Sequence, residues 1–341
     1  MKTEMQDVLQ KNILRFWLDK MVDQEHGGFY GRIDGHEHLH ADAEKGAILN
    51  ARILWAFSAA YRVLGDKTYL EAASRAKHYI IDHFIDPEYG GVYWSLDCNG
   101  KPLDTKKQFY AIGFAIYGMS EYARATGDAE ALKVAIDLYR CIEEHALDHE
   151  YNGYIEAMTR DWQPIADMRL SELDANYPKS QNTHLHIIEP YTNLYRVWKS
   201  DELKASLHNL IDIFTDRILN PETHHLDLFF DMDWKRGAGA LESYGHDIEC
   251  SWLIHEAALV LGDAEVLKKV EPIVEMVAKA SEKGLNADGS MVHEANLDTG
   301  YVDSDLHWWV QAEAVVGFFN IYQYFGDESA LQKAQHCWTY I

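Results

Sequence analysis

Apolar residues follow two alternating patterns along the chain, and the alternation recurs. One kind of segment, as in KGAILNARILWAFSAAYRVL and SDLHWWVQAEAVVGFFNIYQYF, is apolar on almost every side, as a helix buried all round must be. The other, as in KTYLEAASRAKHYIIDHFI, gathers Tyr69, Leu70, Ala73, Ala76, Ile80 and Phe84 on one face, which predicts a helix with its other side in water. Two kinds of punctuation separate them. Short turns rich in Gly, Asn, Asp and aromatics fall near Gly27, Gly90, Asn152, His225 and Gly289, at spacings of 63, 62, 73 and 64 residues, and read as small hairpins. Helix-to-helix breaks, mostly Gly-Asp, fall at Asp66, Asp128, Asp201, Asp263 and Asp327, at spacings of 62, 73, 62 and 64. Gly closes one helix in a left-handed conformation and Asp opens the next by capping it.

Each unit of about sixty residues thus supplies an inner and an outer helix. Such units stacked in a ring predict an all-α fold, an (α/α)6 barrel with short hairpins between repeats, and one catalytic domain over 1–341. The first four breaks are followed by a hairpin after 24, 24, 24 and 26 residues, so Asp327 calls for another beyond Ile341. The last repeat is therefore expected to be incomplete, with its hairpin and inner helix missing by truncation.

Charge and composition narrow the partners. The chain has 31 Lys and Arg against 55 Asp and Glu, a net charge of −24, which makes nucleic acid and anionic membrane surfaces poor partners. No stretch has the run of roughly 20 apolar residues that a membrane span requires. The scattered Cys98, Cys141, Cys250 and Cys337 frame no disulfide scaffold, so a cytoplasmic protein is expected, and the acidic surface favours a monomer.

Polar exceptions on the inner segments carry the candidate chemistry. His184 and His246 each lie 17 residues before their break, while Arg52, Glu249 and Glu313 lie 14 before theirs. The two registers differ by three residues and share one helix face, so these groups are expected to converge at one height. One buried histidine is usually structural, but a set of five buried polar groups would cost several kcal/mol each if unpaired, which points to a site. Tyr110, Trp308 and Trp309 near inner-helix starts could stack on a sugar ring.

Other motifs lead nowhere. His36, His38 and His40 in HEHLH lack a partner at zinc spacing and read as a solvated loop, while HEAAL at His255 and HEANL at His293 lack the second histidine of a zinc hydrolase. No GxGxxG, GxxxxGK[ST] or GxSxG occurs. No metal ligand set and no cofactor is expected. Two imidazoles, a guanidinium and carboxylates suit proton abstraction beside a carbonyl, with electrostatic stabilisation of the enediolate. A glycoside hydrolase using Glu249 and Glu313 is the competing reading.

Three segments, THLHIIEPYTNLYR from Thr183, SYGHDIECSWLI from Ser243 and WWVQAEAVVGFF from Trp308, resemble the N-acylglucosamine 2-epimerase superfamily, most closely its cellobiose 2-epimerase branch. The resemblance spans essentially the whole chain. It implies cofactor-independent epimerisation at C2 of the reducing-end glucose of β-1,4-linked disaccharides, cellobiose or lactose. Mannose or N-acylglucosamine isomerases and epimerases of the same superfamily are the alternative. Family roles carry over to Arg52, Tyr110, His184, His246, Glu249, Trp309 and Glu313. His246 is then one acid/base, His184 assists ring opening and Arg52 stabilises the enediolate oxygen. The family's second catalytic histidine, in a WKCPYHN-like segment, has no counterpart up to Ile341, so this 341-residue form is expected to be deficient in turnover.

Overall fold

The computed structural model describes residues 2–172 and 174–341, which form two compact units. The first comprises Met1–Leu147, Ile155–Asn176 and Asn193–Lys199, and the second Asp148–Tyr154, Tyr177–Thr192 and Ser200–Ile341. Helices α1 (Lys2–Asp7) and α2 (Leu14–Lys20) flank a π-helical turn. They are followed by α3 (Ala47–Leu64), α4 (Lys67–Tyr79), α5 (Phe109–Thr126) and α6 (Ala129–His145). Then come α7 (Gln181–Val197), α8 (Asp201–Ile213), α9 (Tyr244–Leu261), α10 (Ala264–Ser281), α11 (Trp308–Phe325) and α12 (Glu328–Tyr340). Among the described residues no helix is long and apolar enough to cross a membrane.

The punctuation read from the sequence explains where these helices stop and start. α3, α5, α9 and α11 each end on a left-handed glycine, Gly65, Gly127, Gly262 and Gly326. The aspartate that follows each of them caps the next helix, its carboxylate accepting from backbone N–H groups of the first turn. The two hydrophobic patterns separate as expected. α5 and α9 bury residues on every side, whereas α6 buries the stripe Ala131, Ala135, Leu138, Tyr139 and Ile142 and α10 the stripe Val270, Val274 and Val277. α11 departs from this, with Val316, Phe319 and Tyr324 exposed.

Within the first unit α3 packs on α5, and within the second α9 packs on α11. Both contacts are close enough to require glycine. A Cβ on Gly118 would lie 2.8 Å from the Ala51 carbonyl oxygen, and one on Gly317 would lie 2.8 Å from that of Ile248. The hairpins are short antiparallel ladders. Lys45–Gly46, ahead of α3, pairs with Ser95–Leu96, and Lys107–Gln108, ahead of α5, pairs with Ala157–Met158. In the second unit Lys179–Ser180 pairs with Phe229–Phe230, and Leu241–Ser243 pairs with Glu294–Asn296. The strand entering each of these helices is thereby tied to the next hairpin along the chain.

A buried cation fixes three of these helix starts. Two residues before α3, Lys45 donates to Asp23 (2.7 Å) and to the Gly27 carbonyl (2.8 Å), with its ammonium 4.8 Å from the Tyr79 ring centre. Two residues before α5, Lys107 does the same with Asp86 (2.9 Å) and the Gly90 carbonyl (2.8 Å). Two residues before α7, Lys179 donates to Asp148 (2.7 Å), the Asn152 carbonyl (2.7 Å) and the Met232 carbonyl (2.5 Å). Each aspartate also accepts backbone N–H groups of its own turn, from Glu25 and His26, Glu88 and Tyr89, or Glu150 and Tyr151. One ion pair therefore anchors both the hairpin and the helix it feeds.

Candidate active site

The fourth of these helix starts is built differently, and it is where reactive groups gather. Position 242, two residues before α9, is a glutamate. Its carboxylate lies 3.1 Å from His225 Nε2 and accepts from Lys283 Nζ (2.9 Å) and the Tyr244 hydroxyl (3.2 Å). The other nitrogen of His225 lies 2.6 Å from Asp247, which also accepts from the Leu226 N–H. This cluster holds the first turn of α9 from behind, and His246 projects from the same turn.

His246 Nδ1 lies 2.8 Å from the Ser243 hydroxyl, which fixes the ring's orientation. Trp309, the second residue of α11, packs beside the imidazole, with ring centres 4.8 Å apart and a tilt of 45°. Gly245 permits this approach, since a Cβ there would lie 2.7 Å from the Trp309 ring. Desolvation, together with the nearby His186 and His293, pushes the His246 pKa down to about 3. The ring is therefore neutral at pH 7.

One helical turn on, Glu249 is buried, and its Oε1 lies 3.6 Å from His186 Nε2. His186 Nδ1 lies 3.1 Å from Glu189 on α7. His246, His186 and Glu249 thus form a compact acid/base group, with Trp309 as one wall. Another turn along α9, Trp252 donates its indole N–H to Glu313 (2.8 Å), so Glu313 is held by an aromatic of the α9 face.

The expectation for His184 is corrected by its surroundings. Its Nδ1 lies 2.6 Å from the Ser180 carbonyl oxygen, and its Nε2 accepts from the Tyr154 N–H at 2.9 Å. Both nitrogens are committed to backbone in a fully buried position, and burial pushes the pKa down to about 4. Such a ring is a scaffold group with no nitrogen left for a substrate. The register that equated it with His246 fails for two reasons. α7 ends at Val197, and the next cap is Ser200 rather than Asp201, so this break is not spaced like the others. Pro190 also has no N–H to give to the carbonyl of His186, four residues earlier, and His186 leaves helical geometry at φ −88°, ψ 15°. The kink turns His186 toward Glu249.

His186, Ser243 and Trp252 fall outside the two registers that the breaks define in the sequence. A proline four residues beyond a histidine in an otherwise buried helix was the available signal for the first, and the i, i+3 spacing from Glu249 for the last. In the first unit, Arg52 on α3 is exposed, with its Nη2 3.5 Å from the Tyr110 hydroxyl and its guanidinium carbon 4.2 Å from the Phe114 ring centre. Trp308 is 74% exposed, unlike its neighbour Trp309. His38 and His40 lie 3.4 and 3.3 Å from Asp34 in an exposed turn, consistent with a solvated loop.

Residues 28–341 match the family profile of N-acylglucosamine 2-epimerase. The chain belongs to the N-acylglucosamine 2-epimerase family. Among its relatives, the cellobiose 2-epimerase of Bacteroides fragilis is 61% identical over 341 residues, covering all of this chain and 87% of that protein. The cellobiose 2-epimerase of Ruminococcus albus is 41% identical, again over all of this chain and 86% of that one. The solved cellobiose 2-epimerase from Bacillus thermoamylovorans superposes with a TM-score of 0.94 at 41% identity, covering 100% of this chain and 87% of that one. The chain therefore shares the all-α, (α/α)6-barrel fold class of these family members, as the repeat pattern predicts.

Proposed function

We propose that this chain is a cellobiose 2-epimerase, inverting C2 of the reducing-end glucose of β-1,4-linked disaccharides such as cellobiose and lactose without a cofactor. The observation that carries the reading is identity of 61% over the whole chain to a family member of that name. The site chemistry agrees with it. Epimerisation at C2 needs the sugar ring opened to the aldehyde, the proton at C2 removed to give an enediolate, and a proton returned to the other face. An imidazole oriented by Ser243 and walled by Trp309 supports one of those proton transfers.

His186, braced by Glu189 and Glu249, takes the role first expected of His184, that of assisting ring opening and polarising the sugar oxygen. Arg52 keeps its proposed role as the permanent cation for the enediolate oxygen, and Tyr110, Trp309, Trp308 and Glu313 their proposed roles in binding sugar. Four free thiols fit a reducing cytoplasm, and the net charge of −24 supports a monomer that avoids nucleic acid.

Incubation of the full-length protein with cellobiose in deuterated water is the direct test. The expected result is deuterium at C2 of both the glucose- and mannose-ended disaccharides. Unlabelled epimer would remove the proton-transfer mechanism, a ketose product would move the chain to the isomerases, and free glucose would indicate a hydrolase.

A further inference from the structure

A second set of potential ligands lies outside the proton-transfer groups, on the hairpin that precedes α11. Its strands, Glu294–Asn296 and Tyr301–Asp303, run antiparallel with Asp303 opposite Glu294. That register places His293, one residue ahead of the first strand, beside Asp303 at the end of the second: the His293 N–H donates to the Asp303 carbonyl at 3.2 Å, and its Nδ1 lies 3.0 Å from Oδ2. Four residues after Asp303 the chain reaches His307, at the cap position of α11, whose ring centre is 4.3 Å from that of His293. One ligand atom from each of the three residues lies within 4.8 Å of the others. His293 and Asp303 are half-buried and His307 is exposed, so the cluster is open to solvent on one side.

We propose that His293, Asp303 and His307 form a binding site for a divalent first-row transition metal, with Zn2+ the best match. Two imidazoles and one carboxylate are a donor set that zinc accepts, leaving a fourth position for water. Metal–ligand bonds of about 2.0–2.2 Å in a tetrahedron put donor atoms about 3.3 Å apart. His293 and Asp303 lie close to this spacing, at 3.0 Å, and the exposed His307 has its ligand atom within 4.8 Å of theirs. The ladder and the hydrogen bond from the His293 N–H to the Asp303 carbonyl hold two of the three ligands side by side. No zincin-type helix is involved, which is why the spacing of residues in the sequence does not betray the set: it is assembled across a hairpin.

His293 also faces Trp309, with ring centres 5.9 Å apart, so the test reads the metal itself and not turnover. Isothermal titration of the metal-free full-length protein with Zn2+, and Co2+ titration followed by visible absorption, should show one equivalent bound per chain, with the intense bands of a tetrahedral Co2+ site. His307→Ala, at an exposed position, and Asp303→Asn should each weaken binding by about 10-fold or more, and His293→Ala should abolish it. Zn2+ should raise the melting temperature of the parent protein more than that of His307→Ala. His38→Ala/His40→Ala, which removes the other exposed histidine cluster, should leave the stoichiometry unchanged. Absence of stoichiometric binding, binding that survives both His293→Ala and His307→Ala, or binding lost only in His38→Ala/His40→Ala would each overturn the proposal.

Discussion

The starts of α7 and α9 occupy the same place in the repeat and solve the same problem with opposite chemistry. At α7, Lys179 neutralises Asp148 and fills two carbonyls, and His184 above it is closed off by backbone on both ring nitrogens. At α9, the lysine position is Glu242, and the support comes from His225, which lies between the carboxylates of Glu242 and Asp247. The imidazole above it, His246, spends one nitrogen on Ser243. Two histidines in the first turns of α7 and α9 thus differ in the one property that decides function, whether a ring nitrogen remains for something other than the protein. Position in a repeat gives the height of a side chain, whereas the partners of its atoms give its role.

The contrast is sharpest in stability at the closed end. Lys179→Ala would leave Asp148 buried with its cation gone and two carbonyls without their donor, and should cost toward the upper end of about 3–5 kcal/mol. Glu242→Gln keeps most of its shape and hydrogen bonding, and should cost less than half as much. Urea denaturation of both variants checks this. Equal losses would mean that the two helix starts are not held by different means.

Turnover separates the same two regions from the other side. His246→Gln and His186→Gln should lower kcat by about a thousandfold, about 4 kcal/mol of barrier, with melting temperatures close to the parent. His184→Gln should do the reverse, losing stability while changing kcat by less than about threefold. A dead but stable His184→Gln enzyme would restore the equivalence of His184 and His246 that the structure removes.

Acidification should expose His184 as a buried neutral base. Its folded pKa is about 4 against an ordinary value of 6.5, because burial opposes the charge and the Lys179 ammonium repels it, while the Ser180 carbonyl only partly offsets them. The unfolded chain therefore binds the extra proton first as pH falls. The contribution is fully present above pH 6.5 and is lost progressively toward pH 4, amounting to about 2 kcal/mol between pH 7 and pH 5. The unfolding free energy of His184→Gln, starting lower, should fall by about that much less over the same range. Parallel pH profiles for variant and parent would show that the buried ring is not the group that titrates.

Much of this is legible in the sequence alone. Repeat length, alternation of buried and amphipathic helices, Gly-Asp breaks and hairpins are local consequences of side-chain periodicity and turn chemistry, and they appear where expected. His246, Glu249 and Trp309 are legible too, as polar or aromatic residues on regular helices with regular ends. The buried lysines are present as KGAI, KQFY and KSQN at equal distance from three helix starts, but hydropathy alone marks them as surface residues. They become intelligible only once Asp23, Asp86 and Asp148 are folded back against them. His186 was hidden because counting assumes an unbroken helix, and a single missing N–H at Pro190 breaks it.

The smallest predicted effect lies at the break that misled the count. Asp66, Asp128, Asp263 and Asp327 all cap their helices through the side chain, whereas Ser200 has the extended geometry of a cap, φ −102° and ψ 141°, but makes no side-chain cap bond. Asp201 and Glu202 already place two negative charges in the first turn of α8, so a third gains less from the helix dipole than it would elsewhere. The hydrogen bond itself is still to be gained. Ser200→Asp should therefore stabilise the protein by about 0.5 kcal/mol, below the roughly 1 kcal/mol that Asp128→Ala should cost at a cap already made. Thermal melts of the two variants decide the matter. A destabilising Ser200→Asp would mean that charge crowding outweighs the cap, and that the irregular spacing at this break reflects a helix start selected to do without one.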